Sequence, residues 1–212
     1  MRKMKALACS VTLVVASVAA AKPPAIVARG EHLVLLGGCN DCHTPLKMGP
    51  QGPAPDLTRM LSGHPQELAM PPPPRLAEGP WTYVAAATMT AWSGPWGVSY
   101  TSNLTPDADT GLGKWTAQNF IEAMRSGRHM GRGRPILPPM PVQALAKLSD
   151  AELKAIFAYL RTIPAIKNRV PDPVAPGVAA AQPVGGESGA PPGSVGTGSA
   201  EPSERPASPP RP

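Results

Sequence analysis

The chain has 212 residues, room for one or two domains, yet 30 are proline, 21 are glycine and aromatics make up only 4%. That composition excludes a packed core over the whole length. The formal charge is +6, but no stripe of Lys and Arg with interleaved aromatics is present, which argues against nucleic acid as a partner.

The first predicted element is a leader. Met1-Arg2-Lys3-Met4-Lys5 is basic, Ala6 to Val18 is uncharged and mostly apolar, and Ser17-Val18-Ala19-Ala20-Ala21 supplies small residues before Lys22-Pro23-Pro24. The pattern predicts a secretory signal over residues 1–21 with cleavage after Ala19 or Ala21. The apolar run is shorter than the roughly 20 residues that span a bilayer; if left uncleaved it would serve as a membrane anchor. Cleavage removes Arg2, Lys3 and Lys5, half of the net charge. It also removes Cys9, which leaves two cysteines and no disulfide framework. A periplasmic protein is expected.

A first helix is predicted over Ala25–Leu36, stopped by Gly37-Gly38. Directly after it stands Cys39-Asn40-Asp41-Cys42-His43. C-x-x-C-H is the attachment signature of c-type haem. Two thiols at this spacing add to the two vinyl groups on one porphyrin edge, and the adjacent imidazole reaches the iron. Zinc commonly takes four ligands in pairs, and the sequence holds no second cysteine pair. A thioredoxin-like thiol pair belongs to a βαβ unit, and no such pattern surrounds this one. The motif therefore assigns one covalent haem c to Cys39 and Cys42, with His43 as proximal iron ligand. A protein that holds haem this way ordinarily moves electrons.

Pro45 to Pro80 reads as proline-rich loop, with Pro71 to Pro74 suited to polyproline II. Trp81 to Trp92 is rich in Thr, Val and aromatics, Ser93-Gly94-Pro95 reads as a turn, and Trp96 to Tyr100 follows; a small β-hairpin is predicted there. A second helix starts at the N-cap Thr116, carries Ala117, Phe120, Ile121 and Met124 at helical spacing, and ends near Ser126-Gly127. A third starts at Ser149, with Glu152 completing a capping box and Leu148 and Leu153 a hydrophobic staple. Leu153, Ile156, Phe157 and Leu160 form its apolar face, and Pro164 stops it. From Pro171 to Pro212 there is no aromatic residue and little large aliphatic. Burial there cannot offset chain entropy, so 171–212 is predicted as a disordered tail.

Electron-transfer haems usually take Met or His as sixth ligand, and Met raises the potential. Beyond the leader the candidates are Met48, Met60, Met70, Met89, Met124, Met130 and Met140. Met124 falls on the apolar face of the second helix and reads as core. Met48 and Met60 lie close to His43 in sequence, on the expected wrong side of the ring. Met140 sits in Pro138-Pro139-Met140-Pro141 between the second and third helices, where prolines reduce the entropy lost on holding the thioether. Met140 is the predicted distal iron ligand, with Met130 and His129 as rivals. His32 reads as an exposed helix residue and His64 as a loop residue.

With these residues in place, residues 25–165 resemble the c-type cytochromes of the cytochrome c fold, most of all the bacterial periplasmic and dehydrogenase-associated type. The resemblance rests on Ala28-Arg29-Gly30-Glu31-His32-Leu33, the haem motif with Thr44-Pro45, and Asn103-Leu104-Thr105-Pro106-Asp107. It continues through Gly111-Leu112-Gly113-Lys114-Trp115, Pro138-Pro139-Met140-Pro141 and Ile156-Phe157-Ala158-Tyr159-Leu160-Arg161. It implies a mainly α fold around one covalent haem, with a long loop, a small β-hairpin insertion and the C-terminal tail. It implies that Gly30 on the first helix lets Tyr159 on the last approach closely. Val34 stands where the family often has an aromatic, so a less filled crossing is expected. Pro53 resembles the residue whose carbonyl orients the proximal imidazole, and Trp115 and Tyr100 are placed either to bond a propionate or to pack.

The expected function is single-electron transfer between periplasmic or membrane redox partners, as a carrier or as the electron-transfer subunit of an oxidoreductase. The chain itself is not expected to be an enzyme. Peripheral association with a membrane is compatible with that role. The alternative is a haem enzyme or gas-reactive haem protein with an open distal site, and a haem sensor is a third reading.

Overall fold

The computed structural model describes residues 22–74, 76 and 78–177. The predicted leader and residues 178–212 of the predicted tail lie outside these.

Three helices build the core. α1 is Ala25–Leu36, α3 is Ala117–Ser126 and α5 is Asp150–Leu160. Between α1 and α3 come the short helix α2 (Cys39–His43) and five strands: β1 Leu46–Gly49, β2 Gly52–Pro55, β3 Val84–Ala85, β4 Ala91–Gly94 and β5 Gly97–Tyr100. The short helix α4 (Val142–Leu145) precedes α5.

α1 and α5 make the most intimate contact in the fold, and Gly30 permits it. A Cβ at Gly30 would lie 1.9 Å from the Ala155 carbonyl oxygen and 2.9 Å from Tyr159 Cβ. No side chain fits there. Val34, one turn on, is only 1% exposed, so the smaller residue leaves no exposed gap at the crossing. Leu33, Val34, Phe120, Ile121, Met124, Leu153, Ile156, Phe157 and Leu160 share one buried cluster. Those from α3 and α5 are among the residues whose helical spacing marked the apolar faces. Phe120 and Phe157 meet with ring centroids 5.6 Å apart.

The predicted α5 capping box is formed: Ser149 accepts from the Glu152 N–H, and Glu152 accepts from the Ser149 N–H. α3 has one too, from a pair that only half fits the usual rule. Thr116 Oγ1 accepts from the Asn119 N–H at 3.1 Å, and Asn119 Oδ1 accepts from the Thr116 N–H at 3.3 Å. Asn at the third position does the work ordinarily given to Glu or Gln.

The region between α2 and α3 holds more strand than expected. β1 and β2 form an antiparallel ribbon, with Lys47 opposite Ala54 and Met48 opposite Pro53. Residues 46–55 are thus a hairpin, where the sequence predicts loop. Proline is tolerated because Pro53 and Pro55 alternate with Gly52 and Ala54, which leaves the bond-exchanging positions free of proline. The predicted hairpin after Trp81 is present as β4–β5, with Gly94 opposite Gly97, so the turn falls at Pro95-Trp96 rather than at 93–95. β3 adds a third strand beside β4. The mainly α expectation therefore gives way to a helical core with two small antiparallel sheets.

Residues 171–177 of the predicted tail are described, and they are tied to β5. Val174 and Val98 exchange two backbone hydrogen bonds, at 2.8 and 2.9 Å, so β5 continues its pairing into residues that composition assigns to the tail.

Candidate haem site

Gly37 and Gly38 separate α1 from α2. Gly38 has φ of +62°, and a Cβ there would lie 2.9 Å from Asp41 Oδ2. The chain therefore restarts at once as the five-residue helix that carries Cys39, Cys42 and His43 on about one turn. The spacer residue Asn40 fixes this turn to the core: Thr44 Oγ1 donates to Asn40 Oδ1 at 2.9 Å and accepts from the Leu61 N–H at 2.9 Å.

Cys39 and Cys42 are half-buried free thiols. Burial holds both above the ordinary cysteine pKa, and the neighbouring Asp41 carboxylate adds to that. A redox-active or metal-binding pair stabilises the thiolate instead. Among the described residues no three His, Cys, Asp or Glu side chains gather as a metal site.

His43 is buried, and burial lowers its pKa below that of free histidine. Its Nδ1 lies 2.8 Å from the Ser102 carbonyl oxygen. A carbonyl only accepts, so Nδ1 carries the proton and Nε2 keeps the lone pair that an iron ligand needs. The Gly63 N–H donates to the His43 carbonyl at 2.8 Å. Gly63 has φ of +78°, and a Cβ there would lie 2.3 Å from the Thr101 oxygen and 2.7 Å from the Ser102 oxygen. Glycine is required for the 101–102 backbone to reach the imidazole.

Pro53 does not have the role the resemblance implied. It is exposed on β2, opposite Met48. The carbonyl that holds His43 comes from Ser102, 59 residues away. Only its position immediately before the Asn103-Leu104-Thr105-Pro106 block hinted at it. That block is a knot: Asn103 Nδ2 donates to the Ile166 carbonyl at 2.8 Å, and Asn103 Oδ1 accepts from the Thr105 N–H at 2.9 Å. It ties the residues after β5 to the segment after α5.

The methionines divide clearly. Met48 is 77% exposed on β1, and Met124 is buried in α3. Met60 and Met140 pack partly buried against the core. Met130 sits in a short 3₁₀ turn with φ of +51°. Beside it His129 is exposed, with its ring edge-on to Trp115 at 4.9 Å. His32 is exposed on α1. Tyr100 packs on His64 with ring centroids 4.8 Å apart.

His64 is in a loop, as the sequence suggests, but a buried one. It is 0% exposed. Its Nδ1 lies 3.0 Å from Thr90 Oγ1 and its Nε2 3.2 Å from the Leu68 carbonyl. The Leu68 carbonyl only accepts, so Nε2 holds the proton and Thr90 donates to Nδ1. Gly63-His64-Pro65 gave no sign of this, because both partners lie in stretches that offered no periodicity.

Three crossing helices, a thiol pair on one helical turn and an imidazole oriented by a backbone carbonyl are the parts of a c-type cytochrome. The family profile of cytochrome c matches residues 27–164, and the chain belongs to that family. The chain is similar to the cytochrome c subunit of a quinone-dependent alcohol dehydrogenase from Gluconobacter oxydans, at 26% identity over 152 residues, 70% of this chain and 24% of the relative. It is similar to the cytochrome c subunit of gluconate 2-dehydrogenase from Pantoea cypripedii, at 30% over 135 residues, 64% of this chain and 22% of the relative. It also resembles one of the subunits of nicotinate dehydrogenase from Pseudomonas putida, at 35% over 77 residues, 36% of this chain and 6% of the relative. The chain thus spans no more than about a quarter of the length of these relatives. Electron transfer on haem c is the function this family membership carries, and it favours the carrier reading over a haem enzyme.

Proposed function

We propose that the chain carries single electrons on one covalent haem c, as the electron-transfer subunit or soluble carrier of an exported dehydrogenase. Cys39 and Cys42 supply the thioether links, His43 Nε2 the proximal ligand and Met140 the distal one. The observation that supports this reading is the bond from His43 Nδ1 to the Ser102 carbonyl, which leaves the lone pair on Nε2 free for a ligand bond. Haem c supplies a one-electron ferric/ferrous couple. The chain's own residues do the rest: the Ser102 carbonyl fixes the tautomer and raises the basicity of His43, and a thioether from Met140 favours the ferrous state. The apolar cluster against which Cys39 and Met140 pack keeps water from that environment. One C-x-x-C-H in the sequence supports a single haem.

The relatives' names support dehydrogenases as the source of electrons, and the predicted leader supports a periplasmic location. Among the described residues no helix is long and apolar enough to cross a membrane.

Two measurements test the reading. Acid–acetone extraction should leave haem on the polypeptide, and haem in the extract would refute covalent attachment. Met140→Ala should abolish the weak far-red absorption of sulfur on low-spin ferric iron, lower the potential and admit carbon monoxide to the ferrous form, while Met130→Ala changes none of these. Loss of the band in Met130→Ala alone would reassign the distal ligand.

A further inference from the structure

Ser99 lies on β5 and is buried. Its hydroxyl has one partner on each side. Trp96 Nε1 donates to Ser99 Oγ at 3.2 Å, and Ser99 Oγ donates to the Pro138 carbonyl at 2.6 Å. The indole N–H can only donate and the carbonyl can only accept, so the direction of both bonds is fixed. Pro138 is two residues from Met140. Three residues beyond Ser99, the Ser102 carbonyl accepts from His43 Nδ1.

The Met140 loop needs such a tether. Pro138, Pro139 and Met140, with Arg125 and Ile136, border a groove of about 560 Å³. Packing of Ile136 and Met140 on the core side and the 2.8 Å bond from the Ile136 N–H to the Gly127 carbonyl hold the base of the loop. Its own backbone offers a long 3.4 Å bond from the Met140 N–H to the Leu137 carbonyl and a 2.9 Å bond from the Val142 N–H to the Met140 carbonyl. Neither reaches another element. Ser99 does, and β5 is itself held on both edges, by β4 and by Val174.

We infer that Ser99 is a positioning residue for the distal ligand, acting through the Trp96–Ser99–Pro138 relay. One four-residue segment, Ser99 to Ser102, then positions both residues that would hold the iron: His43 through a backbone carbonyl and the Met140 loop through a side-chain hydroxyl. The inference rests on Met140 as distal ligand.

The test uses the full-length ferric and ferrous holoprotein. Ser99→Ala leaves the Pro138 carbonyl without its donor. Three changes are expected: the far-red sulfur band is lost at lower pH on alkaline titration, the potential falls, and the carbon-monoxide-binding fraction of the ferrous form rises about tenfold, the effect of losing one buried hydrogen bond. Ser99→Thr, which keeps the hydroxyl, should restore all three. A general loosening of the fold would lower thermal stability without moving the band's titration or being rescued in this way. If Ser99→Ala does not accumulate as holoprotein, Ser99→Cys, near-isosteric with a weaker donor, gives the same comparison. Wild-type values in Ser99→Ala, or in Ser99→Cys where that variant replaces it, overturn the inference. If the wild type has no sulfur band, or keeps it in Met140→Ala, the assignment of Met140 fails instead.

Discussion

The helical core and the residue 45–100 insertion are held together by different physics. In the core, α1, α3 and α5 meet through apolar side chains at helical spacing, and the one backbone contact, at Gly30, is set by shape. In the insertion, strands of two to four residues bury Ala91, Trp92 and Val98, but their sheets hold only two and three strands. Beyond the strand ladders, single polar side chains reach distant backbone: Ser99 to Pro138, and Asn168 to Ser62 and His64. A core built by area loses about 0.5–1.5 kcal/mol with one buried methyl group. A lattice of isolated hydrogen bonds loses a whole tether at each substitution. The functional groups sit at the seam, since His43 leaves the core region and is oriented by Ser102, two residues past the end of the insertion.

The sharpest break of the core side is Gly30→Val. The branched side chain would overlap the Ala155 carbonyl, and α1 and α5 would have to separate. A loss of about 3 kcal/mol or more is expected, at or beyond the upper end for overpacking, read as a fall in the denaturant midpoint of the holoprotein. An unchanged midpoint would mean that the crossing is softer than a packed core.

On the insertion side, Asn168→Ala should show how much one polar tether matters. Asn168 is fully buried; its Nδ2 donates to the Ser62 carbonyl at 2.6 Å and to the His64 carbonyl at 2.9 Å, and its Oδ1 accepts from the Gln66 N–H at 2.9 Å. Truncation strands all three. A loss of about 1–3 kcal/mol is expected from the unsatisfied groups. The equilibrium loss should come with faster hydrogen exchange at Gly63 and His64, while α3 and α5 stay protected.

This contrast also explains what was legible in the sequence. The faces of α3 and α5, the α5 capping box, the Gly30 contact and the C-x-x-C-H turn are written in spacings within one element, or in a short resemblance. The Ser102 carbonyl was not legible, because any residue can offer a backbone carbonyl and its identity leaves no trace. The 46–55 hairpin was hidden by prolines that ordinarily argue against strands; only the register shows that they occupy non-bonding positions. His64, Ser99 and Asn168 are polar residues in unpatterned sequence, and burial gives them meaning only after the chain has folded around them.

His64 sharpens the comparison through pH. Burial lowers its pKa, partly offset by its bond to the Leu68 carbonyl and by Glu67, with Arg59 lowering it further. The unfolded chain takes up a proton at about pH 6.5, where buried His64 does not. Its contribution is therefore present above that pH and is lost as pH falls toward the lowered folded value. Holoprotein stability should decline as pH falls below about 6.5, and His64→Gln should flatten that decline. A wild-type slope that survives in His64→Gln would place the titration elsewhere.

The smallest expected effect lies where the insertion meets the chain's end. Gly97, at φ of +92°, has no room for a Cβ, which would fall 2.0 Å from the Val174 oxygen; the 171–177 segment lies against β5 at that point. Residues 178–212 carry no aromatic side chain, and their composition gives them nothing with which to form a core. Truncation after Gly177 should leave the spectrum, the potential and the denaturant midpoint unchanged. Truncation before Pro171 removes the two Val98–Val174 bonds and bares the β5 edge, for an expected loss of about 1–3 kcal/mol, with the far-red band also lost at lower pH because β5 carries Ser99. If the longer truncation behaves like the shorter one, the Val174 pairing carries no stability, and β5 is held by β4 and the Ser99 tether alone.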